Sequence, residues 1–209
     1  TWFPALESAG ANAVVEPAVR HLKECKLFLH PFSSDSEELR QRAKAFAKQS
    51  DSTKDILVFH SELDQCRFNV QTRSKGASLK ITDLCPKSFL YCIGGHIHYQ
   101  QQFKSYPNVW YVGSPFDHDW GEANQGKGYL LVDTYKKTIR RISSNMPRLY
   151  DPSLPSFKPP SSWKGHTVRV HVACDQSVPD IRQFIDRTKA KAEKQYFGAS
   201  VVVVPEFLD

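Results

Sequence analysis

Apolar residues in this chain fall into short continuous runs, each closed by a polar, glycine or proline break. That pattern predicts short strands buried on both faces more than long amphipathic helices. Residues 19–22 and 26–30 lead into a strand that stops at Pro31. Residues 38–49 read as a helix carrying Leu39, Ala43, Ala45, Phe46 and Ala47. Ser34 or Asp35 is its cap, with Glu37 and Glu38 in the first turn, and Asp51-Ser52-Thr53 breaks it. Three further runs, 56–59, 89–93 and 109–112, have strand length, and the last two end at Gly94-Gly95 and Gly113-Ser114-Pro115. Residues 129–133 and 138–143 predict a hairpin around Tyr135-Lys136-Lys137.

The pattern changes at Pro147. Five prolines (147, 152, 155, 159 and 160) with interspersed serines mark 147–165 as a linker or a surface crossing. Beyond it, 167–173 alternates as a strand, 179–196 fits a helix opened by proline, and 199–204 is a second strand. A β-α-β piece of this size needs docking to be stable. The organisation expected is therefore a main body over 1–146, a linker over 147–165 and a small β-α-β cap over 166–209.

The chain has 209 residues, with 40% hydrophobic and 24% charged, as expected of one domain with a small appendage. Thirteen Phe, eight Tyr and four Trp can bury enough area to offset chain entropy, so disorder is excluded over most of the length. No apolar run approaches the ~20 residues that span a bilayer, and no signal-peptide pattern is visible. The five cysteines are irregularly spaced and include no CxxC, which argues for reduced thiols in an intracellular protein, cytoplasmic or nucleoid-associated. The charge is unevenly placed. Residues 1–133 carry 15 basic and 15 acidic side chains, whereas 134–209 carry 13 and 7, so the whole net charge of +6 lies in the last third. A basic segment on a neutral body suits phosphate-backbone contact, and equally a solvated surface.

Three predicted strands end in residues able to do chemistry: His60, then His96 and His98, then Ser114. In open α/β sheets ligands bind beyond the C-terminal ends of strands, so three such tips on one rim say more than any alone. In Gly94-Gly95-His96-Ile97-His98 the glycines let the backbone turn closely, and the two imidazoles can aim at adjacent ions; neutral imidazole suits Mn, Fe and Zn. His30, His21, His166 and His171 read as surface or satisfied core residues. His118, Asp119 and Glu122 read as a polar loop, solvated or touching substrate.

Taken in order and spacing, the 56–60 run, Gly95-His96-Ile97-His98, Gly113-Ser114-Pro115 and the run from Gly126 to Val132 resemble the calcineurin-like metallophosphoesterases. With Glu122 they are most similar to the DNA-exonuclease branch that includes bacterial SbcD. The resemblance covers about residues 1–145, and the tail is similar to that branch's capping domain only in layout. It implies an α/β layered sandwich of the metallophosphoesterase type and two divalent metals, often manganese, that activate water for in-line attack on a phosphodiester. It assigns His60 and His96 to one metal and His98 to the other, with Gly95 and Ser114 supporting the site loop. It implies DNA as substrate and an SMC-like ATPase as partner; on the tail helix Lys189, Lys191 and Lys194 lie largely off the apolar stripe, either on backbone phosphates or as a solvated face.

The family's earlier Asp-x-His, Gly-Asp and Asn-His-Asp segments are absent here. Thr1 to Glu7 resembles the helix that follows Asn-His-Asp, so the chain reads as the C-terminal half of the enzyme, inactive alone and with no catalytic residue of its own. An N-terminal segment or a partner chain would complete the site. The competing expectations are a noncatalytic, degenerate relative acting as a structural or interaction subunit, and a phosphoesterase acting on small phosphodiesters or phosphoproteins.

Overall fold

The computed structural model describes residue 8, residue 10, and residues 14–174 and 180–207. The resemblance drawn for Thr1 to Glu7 and the proline expected to open the last helix lie outside these. The fold is mixed α/β, with three sheets and two α-helices among the described residues. The chain divides into two compact units, one of residues 1–114 and 129–142, the other of 115–128 and 143–209.

The first unit is built on a six-stranded sheet in the order β1-β2-β3-β4-β6-β5. Its strands are β1 (Ala18–His21), β2 (Lys26–His30), β3 (Ile56–His60), β4 (Tyr91–Gly95), β5 (Gln101–Phe103) and β6 (Tyr106–Tyr111). The inner four are mutually parallel, and β1 and β5 close the edges antiparallel. Period-two alternation sends Phe28, Leu57, Phe59, Cys92, Val109 and Tyr111 to one face, where all are buried. Helix α1 (Ser36–Ala47) lays Leu39, Ala43 and Phe46 on that face, spaced i, i+4 and i+7. The Phe46 ring lies 5.1 Å from that of Phe28, and full burial of each such ring stabilises by about 2–3 kcal/mol. Asp35 caps the helix, its Oδ1 accepting from the backbone of Glu37 at 2.8 Å and Glu38 at 3.2 Å. The helix begins two residues earlier than the apolar pattern predicts because the cap, not the first apolar residue, sets its start.

The strand expected over 89–93 runs two residues later. Phe89 instead closes a 3-10 turn over Pro86–Ser88, and the backbone of Leu90 donates to Asp55. Strand β5 carries no apolar run and escapes sequence reading. The ribbon β7 (Gly128–Asp133) and β8 (Thr138–Ser143) matches the expected hairpin.

The second unit holds a three-stranded parallel sheet in the order β11-β10-β9: β9 (Leu149–Tyr150), β10 (Thr167–Cys174) and β11 (Ser200–Phe207). Helix α2 (Ile181–Gln195), capped by Asp180, joins β10 to β11, which gives the β-α-β order expected of the tail. The division of the chain differs from the one expected. Leu149 and Tyr150, inside the proposed linker, are a strand of this sheet, and 115–128 belongs to the same unit. Asp117 explains both: its carboxylate accepts from Arg148 Nε and from the backbone of Leu149, each at 2.8 Å.

Candidate functional site

The parallel order β2-β3-β4-β6 puts the C-terminal ends of the central strands on one edge, so the polar tips read from the sequence share a rim. His60 pairs with Gly95 across β3 and β4. The imidazoles of His60 and His96 stand 5.4 Å apart between centroids at an interplanar angle of 73°. His98 follows His96 by two residues, with Ile97 between them. His60, His96 and His98 are all solvent-exposed, while Ile97 between the last two is 3% exposed. Ile97 therefore pins the loop in the core and leaves its flanking imidazoles outside.

The two glycines before His96 do a different job from the one expected. Both lie in β4 without positive φ, and the left-handed residue is His96 itself, at φ 74°. That conformation is strained for an L side chain, and such strain concentrates at functional loops. Gly94 lies flat against the core: a Cβ there would come within 2.6 Å of Phe59 and 2.7 Å of Tyr111. Gly95 lies under the His60 ring, and a Cβ there would meet Nδ1 at 2.7 Å. The site loop is thus held by an imidazole resting on a bare backbone.

Two hydroxyls brace the rim. The buried Tyr111 phenol donates to Ser61 O at 2.7 Å and accepts from the backbone of Leu63 at 2.9 Å, fixing the chain directly after His60. Burial first, and nearby Cys66 second, push its hydroxyl well above the usual tyrosine range. The backbone of Ser114 donates to His98 O at 3.1 Å, and its hydroxyl donates to the same oxygen at 3.5 Å. Beside the rim a cavity of about 340 Å³ opens over the second face of the sheet, lined among others by Leu29, Val58, Ile93, Gly95 and His60. One aromatic on this rim has no counterpart in the sequence reading. Phe32, two residues past β2, stacks on His96 at 5.8 Å and 22° and meets His60 edge-on at 6.4 Å.

His60 has its pKa lowered, first by the hydration its surroundings strip away, then by the like charges of His96 and His98. Near neutral pH its ring is the uncharged, ligating form. Among the described residues no three His, Cys, Asp or Glu side chains form a group that could hold a metal ion. The donors therefore fit a divalent transition ion in kind, as exposed imidazole, but do not by themselves form a closed ligand set.

The remaining candidates fall elsewhere. His30 is buried at 4% exposure, with its Nδ1 2.8 Å from Pro31 O. His166 accepts from the backbone of Arg148 at 3.1 Å, and His171 bridges Asp151 and Glu206. Glu122, expected in a solvated loop, is buried: its Oε2 pairs with the fully buried Lys127 ammonium at 2.5 Å. Asp119 caps a short 3-10 turn instead of reaching for a ligand. Lys189, Lys191 and Lys194 on α2 are exposed, off the stripe of Phe184, Ile185, Thr188 and Ala192. The buried residue of that helix, Ala192, lies on the stripe. Among the described residues no helix is long and apolar enough to cross a membrane.

No protein-family model matches this chain, and no curated protein matches its sequence.

Proposed function

We propose that this chain is the C-terminal part of a calcineurin-like metallophosphoesterase of the DNA-exonuclease type, with the layered sandwich of that family. The observation that carries the reading is the juxtaposition of His60 and His96 at the ends of two paired parallel strands, with His96 held in a strained left-handed conformation and His98 two residues beyond it. In this reading His60 and His96 hold one divalent ion, manganese by preference, and His98 holds a second. When bound, the metals supply activation of water for in-line attack on a phosphodiester. The chain's own residues hold and orient: Gly95 seats the His60 ring, Tyr111 fixes the backbone behind it, and Ser114 fixes the carbonyl of His98. The neutral state of His60 keeps its lone pair available at neutral pH.

Imidazoles without a carboxylate make an incomplete dinuclear site, so an N-terminal segment or partner chain supplies the missing aspartate, asparagine and histidine ligands. The half-buried apolar residues Leu29, Val58 and Ile93 on the second sheet face support a further layer there. DNA is the substrate, the α2 lysines contact its phosphates, and an SMC-like ATPase is the partner that the family resemblance suggests. The lack of a three-ligand group in the described residues favours one competing reading, a noncatalytic relative kept for assembly.

Manganese binding followed by electron paramagnetic resonance separates the two. The chain alone should bind manganese weakly, lose that binding in His60→Ala and His96→Ala, and hydrolyse little DNA. Adding a polypeptide that carries the Asp-x-His and Asn-His-Asp segments should raise hydrolysis, and His98→Ala should abolish it. Absence of histidine-dependent manganese binding would sink the metallophosphoesterase reading and leave the assembly role.

A further inference from the structure

Phe32 stands exposed at the rim, with its ring against those of His96 and His60. We propose that Phe32 is a substrate-positioning residue that stacks on a nucleobase next to the phosphate held at the histidine rim. This rests on the reading above and adds to it that the ligand must carry bases.

The short segment 28–32 carries two phenylalanine environments. Phe28 is fully buried and packs on Phe46 and Phe89, whereas Phe32 is 62% exposed. Pro31 ends β2, and its fixed φ sends the chain out of the sheet, so Phe32 emerges on the same edge as His60 and His96. Its ring then lies near-parallel to His96 at 5.8 Å and edge-on to His60 at 6.4 Å, inside the 4.5–7 Å range of aromatic pairing. These contacts hold the ring in orientation yet leave most of its surface in water.

The chemistry of the neighbours decides what such a ring is for. A phosphate alone needs cations, metal ions or N–H donors, and an exposed phenyl ring gives it nothing. A nucleobase has a π-face, and stacking on an aromatic side chain tolerates any base. An anchored ring beside imidazoles that hold the phosphate would fix the base and thereby the scissile bond, which suits single-stranded or frayed nucleic acid ends, whose bases are unstacked. Alanine at such a platform typically lowers affinity by about 5- to 100-fold.

The experiment uses the full chain with manganese present and compares a short oligothymidylate with an abasic oligomer of equal length, by fluorescence anisotropy. Wild type should prefer the oligomer with bases. Phe32→Ala should weaken that binding by about 5- to 100-fold while leaving the abasic affinity unchanged, and Phe32→Trp should restore the preference. An equal loss on both oligomers, or no loss on either, overturns the stacking role. Equal affinities combined with Phe32-dependent binding of the N-terminal half would assign the ring to a protein interface and also overturn it. Manganese resonance on the same samples distinguishes the two failures. If the metal binds through the histidines but bases make no difference, only the role of Phe32 falls. If neither metal nor oligomer binds, the function proposed above falls with it.

Discussion

Replacing Gly95 with alanine puts a methyl carbon 2.7 Å from Nδ1 and 3.3 Å from Cε1 of His60. Ordinary contact begins near 3.4 Å, so the ring must retreat by about 0.7 Å. Metal–nitrogen distances tolerate only about 0.2 Å, so if His60 ligates as proposed the retreat takes it out of position. The cost to the fold is small. Gly95 has no positive φ, and the exposed imidazole can rotate away for about 1 kcal/mol. Alanine in a strand offsets this by about 0.5–1 kcal/mol relative to glycine. Gly95→Ala should therefore keep its melting temperature within a few degrees while manganese affinity falls by about 10- to 100-fold. Gly94→Ala is the internal control. Its methyl would strike the buried rings of Phe59 and Tyr111, which cannot move aside, and should destabilise by about 1–3 kcal/mol. Manganese titration by resonance and thermal unfolding of both variants settle the matter. Unchanged metal affinity in Gly95→Ala, or a loss of stability equal to that of Gly94→Ala, would refute the argument that this glycine exists to seat His60.

Three further outcomes are expected. His96→Gly relieves a left-handed side-chain conformation worth about 1–2 kcal/mol, so it should abolish manganese binding without lowering the melting temperature; a clear destabilisation would show that the ring is structural. Burial alone would raise the Asp151 carboxyl, but hydrogen bonds from Ser153, Arg169 and His171 outweigh it and hold the group down to about 2. A depressed carboxyl stabilises the fold above its ordinary pKa of 3.8 and loses that contribution as pH falls through about 2, here about 2 kcal/mol. Urea unfolding across that window should show the loss in wild type and a flatter profile in Asp151→Asn, and parallel profiles would contradict it. Changing Lys189, Lys191 and Lys194 to alanine should weaken DNA binding and reduce its log–log salt slope by about 0.9 for each phosphate left unneutralised; an unchanged slope would remove α2 from the DNA surface.

The strand runs, the capped helix and the β-α-β tail could be read from the sequence because each rests on local periodicity and local capping. Asp35, Leu39 and Phe46 announce α1 within a dozen residues, and Val168, Ala192 and Val201 in the tail's core come from elements that were all expected. The three histidines were legible as strand tips for the same reason. What His60 and His96, 36 residues apart in sequence, do together is set by parallel pairing of β3 with β4. The placement of Phe32 beside them appears only there too, since a lone exposed aromatic carries no local signal. Packing also overturned two local readings. Gly94 and Gly95 looked like turn residues, but the chain turns at His96 and the glycines answer to rings lying across them. Glu122 looked like loop polarity, yet it is buried against the Lys127 ammonium. A charge enters a protein interior only with its partner, and whether the pair is buried is decided by tertiary packing, which brings Asp117 its partner Arg148 from 31 residues away.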